Sequence, residues 1–241
     1  MSMVLIGFSE LIGTITFNNN EKRNCLSAAL LKKLIAALKE MRNHKARVVI
    51  LRAAKGAKVW SAGLDVNELP DPGRDPFPYD DPFEQAGRSI QRFPAPVIAM
   101  IEGSVWGAAC DLAFSCDILI GTHSSFFAMT PAKIGIPYSS SGLLHFIYGV
   151  GLPIAKEMFF TAQPLVAERA EKLGILNHLV PEEELEDVTY AMARQITPNS
   201  PLSPGTFERI QGLRRRVYDS KDYLEGKNAF LQKRPPVYQG A

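Results

Sequence analysis

Residues 96–120, PVIAMIEGSVWGAACDLAFSCDILI, constrain this chain more than any other stretch. Val97–Ile101 is a short apolar run rich in β-branched residues and closed by Glu102-Gly103, which predicts a buried strand ending in a tight turn. A helix is expected to open near Gly107, and Asp117 precedes a second apolar run, Ile118–Ile120. A small-residue turn that opens a helix presents unpaired N–H groups at the positive end of the helix dipole. Such a turn can seat a phosphate, or an oxyanion formed on a substrate carbonyl. Small residues equally permit close helix–sheet packing, so this stretch alone leaves both readings open.

A second stretch repeats the pattern. Val48–Arg52 reads as a buried strand, and the loop after it carries Ser61-Ala62-Gly63-Leu64-Asp65, again small residues ahead of an acidic one. Two such turns in one domain can aim two backbone N–H groups at one oxygen. Elsewhere, Met3–Phe8 and Leu11–Phe17 read as a hairpin. Ser27 is an expected N-cap for a helix running to about Met41, with Leu30, Leu31, Leu34 and Leu38 at helical spacing. Helices are also expected from about Asp81 to Arg92, over Glu183–Ile196, Phe207–Val217 and Lys221–Leu231. The proline-rich stretch Asp71–Pro78 resists both helix and strand; it is either a rigid connector or a lid. TPNSPLSPGT, between Ile196 and Phe207, is also unlike its surroundings. It marks either a lost helix or a written sequence that joins across a missing segment near 203–204.

Composition excludes several classes. The 241 residues suit one large domain, or a domain plus a helical appendage, and a net charge of +2 is too mild to argue for nucleic acid. Cys25, Cys110 and Cys116 lack metal-ligand spacing and fit buried thiols in a reducing, cytoplasmic setting. His44, His123, His145 and His178 are scattered without HxxH spacing, so neither a metal nor any other histidine site is expected. No GxSxG elbow supports a peptidase triad. Glu102, Asp111 and Asp117 interrupt the most apolar region, so no membrane span is expected.

With SAGLD at 61–65, EGSVWGAACD at 102–111, KRNCLS at 22–27, MTPAKIGIPY at 129–138 and AERAEKLGILNHLV at 167–180, the chain resembles the crotonase (enoyl-CoA hydratase/isomerase) superfamily from about Leu5 to Pro236. The resemblance implies an α/β fold, a crotonase/ClpP-like spiral of ββα units over 1–180 followed by a C-terminal helical trimerisation region over 181–241. It also implies an acyl-CoA substrate, a homo-oligomer (a trimer or a dimer of trimers), and no cofactor beyond the coenzyme A of the substrate thioester. By position, the oxyanion donors are the N–H groups of Leu64 and Ala108. Arg23, Cys25, Leu26, Ala62, Gly63, Asp65, Val66, Trp106, Gly107 and Pro131 are expected to border the acyl-CoA. Phe230 and Lys233 match an aromatic/basic pair that reaches the nucleotide of a neighbouring subunit.

The acid–base positions decide the chemistry. Hydratases of this kind use two glutamates that share a water. Asp111 stands at the first position, one methylene shorter, and Pro131 and Ala132, near the second, cannot titrate. ELPDPGRDPFPYDDP at 68–82 and FERIQGLRRRVYDSKDYLEGKNAFLQKRPP at 207–236 resemble instead the branch of the superfamily that decarboxylates methylmalonyl-CoA. That implies a lyase acting on methylmalonyl-CoA or a close malonyl-CoA analogue through a thioester enolate. Tyr138 is placed to orient the substrate carboxylate, or else simply packs at a helix start. The branch carries His where this chain has Leu64, and Glu where it has Asp111. Asp111 is open to two readings, a proton relay or a buried acceptor. A hydratase or isomerase using Asp111, and a non-catalytic acyl-CoA-binding protein, are the alternative readings.

Overall fold

Valine, isoleucine and leucine dominate Val48–Ala53, Val97–Ile101 and Ile118–Thr122, and these segments form adjacent parallel strands of one sheet. The protein is described here by a computed structural model covering residues 2–69, 78, 80–136, 138–199 and 220–240. In chain order the strands are β1 (Val4–Ser9), β2 (Ile12–Phe17), β3 (Val48–Ala53), β4 (Val59–Ser61), β5 (Val97–Ile101), β6 (Ser104–Trp106), β7 (Ile118–Thr122), β8 (Phe126–Ala128), β9 (Leu165–Val166) and β10 (His178–Val180). The α-helices are α1 (Ala28–Asn43), α2 (Pro82–Gln91), α3 (Ala108–Phe114), α4 (Ser140–Val150), α5 (Leu152–Thr161), α6 (Ala167–Lys172), α7 (Leu185–Ile196) and α8 (Lys221–Leu231).

Strands β1-β2-β3-β5-β7-β10 make a six-stranded sheet and β4-β6-β8-β9 a shorter four-stranded one. The chain places a long strand in the first sheet, a short strand in the second, and then a helix. It does so in β3-β4-α2, β5-β6-α3 and β7-β8-α4. This is the expected spiral of ββα units. The central parallel strands of the first sheet, β3, β5 and β7, are apolar on both faces, as buried parallel sheets are. Leu51, Ala99 and Leu119 lie in register on the face toward the main core. Ile50 and Ile98 lie on the other, where α7 covers them with Leu185 and Ala193.

Local chemistry explains the boundaries. The β1–β2 hairpin forms as expected, with Ser9 paired to Ile12. Ser27 caps α1 by accepting from the Leu30 N–H at 3.3 Å, and Asp81 caps α2 by accepting from the Phe83 N–H at 2.7 Å. Helix α7 starts at Leu185 rather than Glu183, because a turn closed by Glu184 N–H on the Pro181 carbonyl precedes it. The expected helix over 207–217, the join near 203–204 and the 71–78 loop, apart from Pro78, lie outside the described residues. Cys110 and Cys116 are buried as expected; Cys25 is only half-buried, because it lies in the loop ahead of α1.

One ion pair fastens α7 to the sheet. The nearly buried Arg52 of β3 donates to Glu186 Oε1 at 2.6 Å and to the Ala53 carbonyl at 3.1 Å. Its hydrogen bond, with help from Lys55, holds the Glu186 carboxyl below the usual carboxylate range. A depressed carboxyl stabilises the fold above its unfolded pKa of about 4.3 and loses that contribution as pH falls through the folded value. Glu186→Gln is therefore expected to cost roughly 1–2 kcal/mol at pH 7, less than a fully buried pair because Glu186 is partly solvated. Denaturant unfolding at pH 7 and pH 3 checks this: the gap between variant and parent should narrow at the lower pH.

Candidate active site

Both small-residue turns fold as loops that close against each other. β4 ends at Ser61, and Gly63 adopts φ +84; β6 ends at Trp106, and Gly107 adopts φ +52 as the N-cap of α3. These left-handed values favour glycine. A Cβ on Gly63 would stand 2.6 Å from the Trp106 carbonyl oxygen and 3.4 Å from the Ala108 nitrogen, so glycine also permits the close approach. Neither the Leu64 nor the Ala108 N–H meets an acceptor among the described residues. Ala108 is the first residue of α3, where an N–H has no partner within the helix.

Asn24, which the sequence reading did not single out, brackets the first turn. Its buried amide donates to the Val59 and Trp60 carbonyls at 3.3 and 3.1 Å and accepts from the Asn19 N–H at 2.9 Å. The Ser61 hydroxyl donates to the Asn24 carbonyl at 2.7 Å, the Ala62 N–H to the Arg23 carbonyl at 2.9 Å, and the Leu26 N–H to the Gly63 carbonyl at 2.7 Å. Arg23, Cys25, Leu26, Ala62 and Gly63 thus form one backbone-bonded ledge. Asp65 caps the short 3-10 turn Val66–Glu68 through the Asn67 N–H, and Glu68 accepts from the Ala28 N–H at 2.6 Å, tying this loop to the start of α1. Burial, with the negative charges of Asp65 and Glu68, pushes the Cys25 thiol up to about 11. It remains a thiol at neutral pH.

Above the paired turns lies a cavity of about 500 Å³ including its open mouth. Its walls are largely apolar, with Leu64, Val66, Ile134, Ile136, Pro131 and Tyr138 prominent among them. Ala62, Gly63, Gly107 and Ala108 border the same space, and among the described residues no lysine or arginine does. Leu64 and Leu69 also wall a second cleft that continues past Leu26, Ala28 and Asp65. Trp106 contributes through its carbonyl; its ring packs edge-on against Phe126 at 5.2 Å, and its indole N–H donates to the Ser104 hydroxyl. Phe230 is 81% exposed on α8, and Lys233 lies just beyond that helix. No contact among the described residues brings either to the cavity.

Tyr138 and Asp111 come together, and His145 joins them. The Tyr138 hydroxyl donates to Asp111 Oδ2 at 3.1 Å, while His145 Nδ1 lies 2.5 Å from Oδ1 and Gln91 Nε2 lies 2.7 Å from His145 Nε2. Asp111 is only 3% exposed. Burial first, then the charge and hydrogen bond of Asp111, push the Tyr138 phenol far above its ordinary value, so it stays a donor. Burial alone would lower the His145 pKa. The hydrogen bond and charge of Asp111, with the charge of Glu84, outweigh it, and the imidazole sits above its usual value.

The expectation that no histidine takes part in a site is corrected here. The Ser139 cap starts α4 directly after Tyr138, so Tyr138 and His145, two helical turns apart, face α3 together. Gly142 lies between them, and a Cβ there would collide with the Tyr138 ring and stand 2.6 Å from Asp111 Oδ2. The sequence signal was the Tyr138–Gly142–His145 spacing, which metal-ligand patterns do not test.

A family model described as enoyl-CoA hydratase/isomerase matches residues 7–211. The methylmalonyl-CoA decarboxylase of Escherichia coli (strain K12) is 46% identical over 247 residues, spanning 95% of each chain. Two solved structures agree over the whole length. A methylmalonyl-CoA decarboxylase in complex with 2-nitronate-propionyl-CoA superposes with a TM-score of 0.81 at 44% identity, covering 100% of this chain and 99% of that one. Another, complexed with 2S-carboxypropyl CoA, gives 0.82 at the same identity and coverage. The chain belongs to the enoyl-CoA hydratase/isomerase family, the crotonase superfamily.

Proposed function

We propose that this protein decarboxylates methylmalonyl-CoA, or a close malonyl thioester, through a thioester enolate held by the Leu64 and Ala108 N–H groups. The observation that carries this reading is a largely apolar cavity, free of lysine and arginine among the described residues, with two backbone donors unengaged by any described residue on one side and the Tyr138 phenol on another. A thioester carbonyl set between the donors becomes an electron sink. When the bond to the carboxylate breaks, CO₂ leaves and the electron pair moves onto the carbonyl oxygen, where preorganised N–H groups are most effective. No redox group or metal is required by that step.

The carboxylate must leave from out of the thioester plane, so its orientation matters more than its binding strength. A phenol orients an anion without adding a full positive charge. A lysine or arginine in its place would favour the charged ground state over the transition state. The apolar side chain of Leu64 keeps water from the same region. Hydration is disfavoured because, among the described residues, Asp111 has no carboxylate partner in the cavity wall: Pro131 lies there instead.

The ledge of Arg23, Cys25, Leu26, Ala62, Gly63, Asp65 and Val66 flanks the cleft leading away from the cavity, the place for the pantetheine arm. We assign Phe230 and Lys233 to the nucleotide of a neighbouring subunit, with α7 and α8 in the helical region over 181–241. The exposed Leu224, Phe230, Leu231 and Val237 on and after α8 support self-association as a trimer or a dimer of trimers. Among the described residues no helix is long and apolar enough to cross a membrane, and we place the enzyme in the cytoplasm.

CO₂ release and propionyl-CoA formation from methylmalonyl-CoA, with crotonyl-CoA hydration run in parallel, test the reading. Hydration without CO₂ release would overturn it. Tyr138→Phe should lower kcat by about 10²-fold or more while leaving the fold intact, since only the hydroxyl is removed. Ala108→Pro deletes one donor at a helical position that tolerates proline. It should lower kcat by roughly 10²–10³-fold, and full activity in that variant would remove Ala108 from the oxyanion site.

A further inference from the structure

Decarboxylation leaves an enolate whose α-carbon needs a proton, and of the two hydroxyl side chains among the described wall residues, Thr130 and Tyr138, Tyr138 is hydrogen-bonded to a titratable group behind the wall. Behind Tyr138 the hydrogen bonds run inward to Asp111, then to His145, then to Gln91. Each link lies on a different support: Asp111 on α3, His145 on α4, Gln91 on α2. A buried carboxylate needs a partner only to be satisfied, and the Tyr138 hydroxyl already supplies one. The imidazole at 2.5 Å adds a group that can hold a proton or release it.

We propose that His145 is a positioning residue that makes Asp111 and itself a one-proton store behind Tyr138, setting which way the Tyr138 hydroxyl points and refilling it after each turnover. The proposal rests on the decarboxylase reading for its proton acceptor.

The store has two states. Without its extra proton, His145 donates through Nδ1 to an ionised Asp111 and accepts the Gln91 amide at Nε2. Tyr138 then donates to Asp111, and only its lone pairs face the cavity. With the proton, Asp111 as the acid donates to the Tyr138 oxygen, and the hydroxyl hydrogen turns to the cavity, where it meets the substrate carboxylate. After CO₂ departs, the Tyr138 O–H bond breaks and a C–H bond forms at the α-carbon. Tyr138 takes the Asp111 proton, and the pair regains one from water through His145, whose side chain is 20% exposed. One proton is consumed per CO₂ released, as the overall reaction requires. If the proton rests on His145 instead, rotation of the Gln91 amide lets its oxygen accept from Nε2, so Gln91 matches either state of the ring.

Other charges facing the pair favour a stored proton. Glu84 of α2 acts on both His145 and Tyr138, and its salt-bridge partner Arg88, at 3.5 Å, lies on the same helix. A substrate carboxylate brought beside Asp111 is a further negative charge, which raises proton affinity across the pair.

His145→Asn tests the proposal. The asparagine amide can place an N–H near the Nδ1 position, so Asp111 keeps a donor while the titrating group is gone. In the parent enzyme, titration calorimetry of 2S-carboxypropyl CoA at pH 8 in buffers of different ionisation enthalpy should show uptake approaching one proton per ligand bound. In His145→Asn that uptake should disappear at pH 8 and return only in more acidic buffer. The alkaline limb of kcat/KM for methylmalonyl-CoA should move down by about one pH unit or more, within the usual span of general-acid effects. A purely structural His145 predicts unshifted profiles and equal proton uptake, and that result overturns the proposal, as does failure of the parent to bind the analogue. Turnover with an unshifted profile removes the proton store and leaves the decarboxylase reading standing. Proton uptake lost only in the variant, with no turnover of methylmalonyl-CoA by the parent, does the reverse.

Discussion

The approach of Gly63 to the Trp106 carbonyl is the contact on which the rest of the site depends. Two loops can aim two N–H groups into one cavity only if their backbones nearly touch, and any Cβ at position 63 would hold them apart. The short sheet supplies the approach, since β4 and β6 are parallel neighbours within it and each ends just before its turn. Trp60 secures the first of these strands. It is fully buried, donates its indole N–H to the Met100 carbonyl of β5 at 3.0 Å, and packs edge-on against Phe17. The short sheet is thereby tied to the long one at the level of the active cavity.

Around that fixed backbone the side chains divide the chemistry between two zones. Leu64, Ile134 and Ile136 make one wall dry, which suits a reaction that converts a carboxylate into neutral CO₂. Tyr138 is the boundary between this dry wall and the polar interior behind it. Its ring packs on Phe159 and Phe146, and its hydroxyl reaches Asp111. The aromatic packing limits where the hydroxyl can go, so a hydrogen-bond reversal at one oxygen is the smallest change that can alter what the cavity meets.

Much of this was legible in the sequence, and the reasons differ by residue. Ser27 and Asp81 mark helix starts because capping is local chemistry, decided within three residues. The strands at 48, 97 and 118 announce themselves as apolar runs buried on both faces. Gly63 and Gly107 could be placed at turns, but their convergence required the stacking of strands more than forty residues apart, which only the family resemblance supplied. His145 escaped because its partners, Asp111 and Gln91, come from other helices and share no spacing pattern with it. Asn24 escaped for a related reason: its role is to satisfy carbonyls of β4, a relation set by the path of a loop.

Both N–H groups that the proposed mechanism aims at the thioester oxygen belong to the main chain, and this has a consequence for descent. Substitution at position 64 changes the wall but leaves the N–H in place, so exchange of a polar residue for leucine there alters the pocket without removing a donor. On the proposed mechanism the electrophilic half of catalysis is inherited with the backbone path, and the proton-handling half rests on a few exchangeable side chains at 111, 138 and 145. A scaffold organised this way can diversify its reactions by single replacements, each tested against an activity that never has to be rebuilt from nothing.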